Sequence, residues 1–101
     1  MLPSKQTIHL ARFHAEPLPG NPYHAQQVFG AWIVYYALAP DSEAFAQKIK
    51  NFLAQEKWKL IQLAESGTTS RERLASKPLV LQALEKQGDF VMIHASRFSS
   101  D

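Results

Sequence analysis

Four histidines are the residues of this chain best suited to chemistry near neutral pH, because an unperturbed imidazole titrates there. His9 and His14 lie five positions apart on a predicted strand over 5–14. Successive residues of a strand point to opposite faces, so these two side chains cannot bind one ion together. His24 and His94 lie elsewhere in the sequence, and no spacing requires them to converge. We therefore predict no metal site.

Residues for nucleophilic or acid–base catalysis form no pattern. The chain has no cysteine and no Gly-x-Ser-x-Gly sequence around a nucleophilic serine. Its carboxylates fall mainly at predicted helix starts, exposed helix faces and turns, as Glu43 and Glu72 do, and no pair is forced together. We therefore predict no catalytic residues, no cofactor-binding residues and no cofactor, and we favour a protein that is not an enzyme.

The segment 66–71, Ser-Gly-Thr-Thr-Ser-Arg, resembles a small anion-binding turn before a helix. It lacks the glycines and the lysine of a phosphate-binding loop. Thr69 and Glu72 instead match a capping box, in which the first side chain caps the helix and the second reaches back to it. We interpret 66–68 as a turn and predict a short helix from Thr69 to about Lys77.

Aromatic side chains are the strongest candidates for binding. Six Phe, three Tyr and two Trp exceed what one small core requires, so several should lie at a surface or an interface. We predict that the interface is formed by Trp32, Tyr35, Tyr36, Tyr23 and Trp58. The alternative is a ligand pocket near His94 and Tyr36.

Composition limits the class of protein. With 101 residues, 46% hydrophobic and 20% charged, the chain is predicted to form one soluble globular domain, 1–101, with residues 99–101 as a flexible tail. No apolar run approaches the roughly 20 residues of a membrane span. The net charge of +2 gives little support for nucleic-acid binding. The lack of cysteine makes the cytoplasm the default location.

The longest apolar run is Val28–Ala39, twelve residues without a charge. As a strand, it carries Val34 and Tyr36 on one face and Ile33 and Tyr35 on the other. A strand with one wet face should alternate apolar and polar residues, so both faces must be covered. Gly30 within the run indicates a bulge or a close backbone approach.

The remaining elements follow from helical spacing, capping residues and prolines. The clearest is a helix over 42–56, with Asp41 or Ser42 as N-cap. Pro78 and Gly88 delimit a helix over 79–87. A Pro-rich loop is predicted over 15–25, and further strands over 57–65 and 89–98.

The resulting order, β-β-α-β-α-β, predicts an α+β, ferredoxin-like two-layer sandwich with a four-stranded, mainly antiparallel sheet. Right-handed crossovers would place both helices on one face of the sheet. The other face would then be covered by the 15–25 loop or by a second copy of the chain, and we favour a homodimer.

We interpret the protein as a non-enzymatic protein-binding module that acts through an apolar-aromatic surface on a protein partner or on itself. The predicted architecture resembles small immunity proteins that neutralise a cognate toxin, which implies an immunity, antitoxin-type or regulatory role. It also resembles dimeric sandwiches of the antibiotic-biosynthesis monooxygenase type, and 73–78 looks like their helix break. That resemblance implies a small-molecule-binding or monooxygenase-like alternative. A second alternative is an RNA-binding domain.

Overall fold

The computed structural model describes residues 6–26 and 28–97, so the predicted tail at 99–101 lies outside the described residues. Within these residues the chain forms a small α+β fold with a four-stranded antiparallel sheet and three helices. The elements are β1 (Thr7–Pro17), α1 (Pro22–Ala25), β2 (Val28–Ala39), α2 (Ser42–Glu56), β3 (Trp58–Thr69), α3 (Pro78–Gln87) and β4 (Asp89–Arg97).

The strands lie in the order β3-β1-β2-β4, and every neighbouring pair is antiparallel. The two central strands pair along most of their length, from Thr7 opposite Ala39 to Ala15 opposite Ala31. This order and the additional helix α1 do not match the predicted ferredoxin-like arrangement. β3 and β4 form the two edges of the sheet and run in opposite directions.

The helices α2 and α3 pack on opposite faces of the sheet, so the prediction that they share one face is wrong. Phe45 and Leu53 of α2 pack in a core cluster with Phe13 and Ile33. Val80 and Leu84 of α3 pack in a second cluster, with Ile8, Tyr36 and Leu74. The handedness rule concerns crossovers between parallel strands. It sets no face for α3, because α3 joins two antiparallel edge strands.

The expectation that both faces of β2 are covered is confirmed. Ile33 and Tyr35 lie in the α2 cluster, whereas Tyr36 lies in the α3 cluster with Val34 and Leu38 packed against it. Gly30 lies at an irregularity of the ladder, as predicted, but the group that approaches it closely is a side chain and not a backbone segment. The β2–β4 register shifts between Val28 and Gly30. A Cβ at position 30 would lie 2.8 Å from His14 Nε2, so this glycine admits a close approach.

Local signals predicted the limits of the two longer helices correctly. Asp41 is the N-cap of α2, and its side chain accepts a hydrogen bond of 2.8 Å from the Ala44 N–H. Pro78 is the first residue of α3, and Gly88 ends the helix at φ 84°, a left-handed conformation that favours glycine. None of the helices in the described part of the chain is long and apolar enough to cross a membrane.

Two predicted segments have different structures. β3 continues to Thr69, through the predicted turn at 66–68, because Ser66, Gly67 and Thr68 pair with β1. The residues after Ser70 then form turns rather than a helix. The side chain of Ser70 accepts a hydrogen bond of 3.3 Å from the Arg73 N–H, so Thr69 is not the capping residue.

The predicted loop over 15–25 is only partly a loop, because β1 includes residues up to Pro17 and α1 begins at Pro22. Asn21 lies between these two elements and is buried. Its Oδ1 accepts a hydrogen bond from the Tyr23 N–H at 2.8 Å, and its Nδ2 donates to the carbonyl of Glu56 at 2.8 Å. One amide side chain therefore caps α1 and holds the segment against the end of α2.

Candidate functional site

The strand β3 carries an unusual amount of exposed apolar side chain. Leu60, Ile61 and Leu63 are 44%, 45% and 53% exposed. β3 lies at the edge of the sheet, where it pairs with β1 and, within residues 6–26 and 28–97, with no other strand. Its outer backbone groups are therefore available for pairing with another chain. We refer to residues 59–65 of this strand as the β3 edge.

Two register shifts within the β3 edge alter its pairing with β1. Phe13 lies opposite Leu63 and Ala15 opposite Leu60, and the shifts leave Ala64 and Ile61 without an opposite residue. Such bulges bend and twist a strand. Phe13 and Ala15 belong to the cluster beneath α2. Leu60 and Leu63 therefore lie on the α2 face of the sheet, although α2 leaves them half-exposed.

A cleft of about 200 Å³ lies between α2 and β3. Its walls are mainly apolar, and three hydroxyl-bearing residues lie around them. The lining residues are His9, Ser42, Phe45, Ala46, Ile49, Leu63, Ser66, Gly67 and Thr68. The cleft is thus continuous with the exposed β3 edge through Leu63.

His9 is the unusual residue of this cleft. It is only 6% exposed, and its ring stacks on Phe45 with a centroid separation of 5.1 Å and an interplanar angle of 22°. Its Nε2 atom is buried and has no hydrogen-bond partner among the described residues. Buried polar atoms are nearly always paired, because an unpaired one loses its hydration without compensation.

The other face of the sheet carries a different group of polar and aromatic residues. Arg12 lies over the indole of Trp32, with its Cζ 5.0 Å from the ring centroid, and His14 lies 5.1 Å from the same ring. Arg12 also forms an exposed ion pair of 3.7 Å with Glu65. His94 lies opposite Trp32 in the β2–β4 register and is exposed.

The side chain of Tyr35 lies between the sheet and α2, where its ring stacks on those of Phe45 and Phe52. Its hydroxyl donates a hydrogen bond of 3.1 Å to Asp89 Oδ2. Burial raises the pKa of Tyr35 well above its ordinary value, and the negative charge of Asp89 and this hydrogen bond raise it further. The Tyr35 hydroxyl therefore stays protonated and donates a hydrogen bond that stabilises the fold.

Three of the predicted interface residues lie in the two cores. Tyr35, Tyr36 and Trp58 are each less than a tenth exposed, which leaves little of their rings available to a partner. Tyr23 is half-buried against Trp58, at a centroid separation of 5.6 Å. Trp32 is also half-buried, beneath Arg12. The predicted interface residues therefore do not form one surface.

The alternative pair, His94 and Tyr36, lies on the α3 face but is not brought together. His94 is opposite Trp32, whereas Tyr36 is opposite Phe90. The two positions are four residues apart along the ladder, about 13 Å at the rise of a strand. Tyr36 is enclosed by the α3 cluster, and His94 is exposed.

Neither the β3 edge nor the environment of His9 was predicted from the sequence. A sequence signal for the β3 edge exists, because Leu60, Ile61 and Leu63 lie close together in a segment with few other apolar residues. No sequence signal could show that Phe45 covers His9, because that contact joins a strand to a helix 36 positions away. Within 6–26 and 28–97, no group of three or more His, Asp or Glu is arranged to hold a metal ion.

Comparisons with protein-family models, curated proteins and solved structures find no match to this chain.

Proposed function

We propose that this protein is a non-enzymatic protein-binding module that associates with a second copy of itself through the β3 edge. The observation that carries the proposal is the exposure of Leu60, Ile61 and Leu63 on one edge strand. Exposed apolar side chains beside unpaired backbone groups favour the addition of another strand. Burial of these side chains would supply the hydrophobic part of the association free energy.

The charges along the β3 edge favour a second copy as the partner. Antiparallel pairing of two β3 strands about Gln62 would place Lys59 opposite the partner's Glu65, and Glu65 opposite the partner's Lys59. The same register would pair Ile61 with the partner's Leu63. Opposite charges and apolar groups directly across an antiparallel pair are both stabilising. Because the pattern is complementary to itself, it suits a twofold-symmetric dimer. The paired stretch would be residues 59–65, which include both bulged positions of β3.

Sedimentation velocity over a concentration series tests the proposal. We expect the unaltered protein to dimerise, and Ile61→Lys and Leu63→Lys to remain monomeric because each would bury a charge. Leu79→Lys is the matched control, because Leu79 is 71% exposed but lies on α3, away from the β3 edge. This variant should dimerise as the unaltered protein does. A protein that stays monomeric at high micromolar concentration would refute the proposal, as would equal effects of all three substitutions.

A charge exchange tests the register itself. Lys59→Glu should weaken the dimer, because it would face the partner's Glu65. The double variant Lys59→Glu/Glu65→Lys should recover it, although Glu65 also pairs with Arg12 on the exposed surface. Circular dichroism should first show that the single and the double variant are both folded. If the double variant then dimerises no better than Lys59→Glu, this register is excluded.

RNA binding has less support. Arg12 covers the Trp32 ring and is paired with Glu65, so neither the ring face nor the charge is free for a base or a phosphate.

A further inference from the structure

The cleft between α2 and β3 has the features of a small-molecule site. It combines a volume of about 200 Å³, apolar walls and one buried polar atom, His9 Nε2, that lacks a partner. We propose that it binds a small neutral molecule with an apolar, ring-sized body and one hydroxyl group, as in a simple phenol. This proposal does not depend on self-association through the β3 edge.

The size and walls of the cleft define the body of the ligand. Phe45 and Ile49 of α2 face Leu63 of β3 across it. A dry cavity of about 150 Å³ lined by apolar side chains is large enough to bind benzene. The cleft therefore has room for a benzene ring with one or two small substituents.

The unpaired nitrogen of His9 defines the polar group. A neutral imidazole has one nitrogen that donates and one that accepts, and either form leaves Nε2 with one unmet hydrogen bond. A hydroxyl both donates and accepts, so it satisfies Nε2 in either tautomer. A carboxylate only accepts, and it would carry a charge among Phe45, Ile49 and Leu63 at a large desolvation cost.

Nε2 is buried, so a ligand reaches it only when part of the surrounding wall moves, and Phe45, whose ring stacks on the imidazole, is one part of that wall. Phe45 lies near the beginning of α2, which starts at Ser42. Helix ends open more readily than helix centres. A small outward movement of this first turn would let the ligand hydroxyl reach Nε2 while its ring contacts Phe45 and Leu63.

Titration of the folded protein with p-cresol, toluene and p-toluate tests the proposal by NMR of ¹⁵N-labelled histidine side chains. These probes share one ring and differ in carrying a hydroxyl, no polar group or a carboxylate. We expect p-cresol to bind roughly tenfold more tightly than toluene, the ratio expected for one neutral hydrogen bond to a buried group. p-Cresol should also shift the His9 Nε2 resonance more than those of the other histidines. Equal affinities for p-cresol and toluene, no binding of either, or tighter binding of p-toluate would overturn the proposal.

His9→Phe provides the variant test, because phenylalanine retains a ring against Phe45 but has no nitrogen. In His9→Phe, p-cresol and toluene should bind with about equal affinity. His14→Phe, on the opposite face, is the matched control and should retain the preference for p-cresol. A retained preference in His9→Phe would refute the role of Nε2. If that variant does not fold, the ¹⁵N titration of the unaltered protein decides the question. Repeating that titration with Ile61→Lys, which leaves the cleft lining intact, separates ligand binding from self-association.

Discussion

The hydroxyl of Tyr35 donates a 3.1 Å hydrogen bond to Asp89 Oδ2 and thereby joins the middle of β2 to the first residue of β4. Asp89 follows Gly88, the residue that ends α3. The bond therefore connects the sheet face under α2 with the chain that returns from α3 on the opposite face. This arrangement gives Tyr35 a structural role, whereas the sequence predicted an interface role for it.

Tyr35→Phe should lower the free energy of unfolding by about 2 kcal/mol, because it removes a hydrogen bond to a carboxylate but retains the stacked ring. Urea denaturation measures the change. Tyr36→Phe is the control, since no hydrogen bond of the Tyr36 hydroxyl is found within 6–26 and 28–97, and it should change stability by less than about 0.5 kcal/mol. Equal losses in the two variants would argue against the bond to Asp89.

The raised pKa of Tyr35 predicts alkaline instability. The folded state holds this proton more tightly than the unfolded state, so above the ordinary tyrosine pKa of 10.0 the unfolded chain binds fewer protons. The contribution to stability is complete below pH 10 and falls as the pH rises beyond it. In alkaline titrations followed by circular dichroism, Tyr35→Phe should show a weaker decline in stability above pH 10. An identical decline in both proteins would contradict the assignment.

Asn21→Ala should lower stability by about 2 kcal/mol, because it removes the cap of α1 and the donors to the carbonyls of Glu56 and Lys57. Thermal and urea unfolding measure the change. Asn21→Asp keeps the acceptor for the Tyr23 N–H but loses both donors, so it should still be clearly destabilised. Stability unchanged in Asn21→Ala would mean that the segment 18–25 does not depend on this side chain.

Gly30→Ala and Gly67→Ala should have opposite effects. A methyl group at position 30 would lie 2.8 Å from His14 Nε2 and force that ring away from Trp32, at a cost of about 1–2 kcal/mol. A methyl group at position 67 meets no atom within 4 Å. Gly67→Ala should stabilise the protein by about 0.5 kcal/mol, because alanine lowers the conformational entropy of the unfolded chain. His14→Ala should remove most of the penalty of Gly30→Ala, which a double-mutant cycle measures.

Lys57→Gly should stabilise the protein by about 1 kcal/mol. Lys57 ends α2 in a left-handed conformation, with φ 61° and ψ 57°, which strains a residue that has a Cβ. The backbone carbonyl of Lys57, which accepts a hydrogen bond from the Leu18 N–H, is retained. Lys59→Gly in β3 is the comparison and should be destabilising, because glycine weakens a strand interior. Loss of stability in Lys57→Gly would show that its side-chain contact with Gly20 outweighs the strain.

Local sequence signals were sufficient where short-range chemistry decides the structure. The limits of α2 follow from the Asp41 cap and the apolar spacing of Phe45, Ile49 and Leu53. Those of α3 follow from Pro78 and Gly88. The apolar residues of β2 correctly indicated that both faces of the strand are covered. In each case the determining residues lie within one element or beside it.

Long-range pairing decided the structure of β3. Ser66, Gly67 and Thr68 have the composition of a turn, yet their partners on β1 extend the strand to Thr69. The same pairing places β3 and β4 at opposite edges, and this lets α3 cross to the face that α2 does not cover. No local pattern encodes this choice, because it depends on the competition among strands for neighbours.

The sequence by itself determined α2 and α3, the four strands in outline and the need to cover both faces of β2. Only the tertiary structure decided which side chains are available for binding. Composition shows how many aromatic and aliphatic residues must be buried, but packing against α2 and α3 selects which ones. As a result of this packing, Tyr35, Tyr36 and Trp58 are buried, whereas Leu60, Ile61 and Leu63 are exposed. His9 is enclosed beneath Phe45.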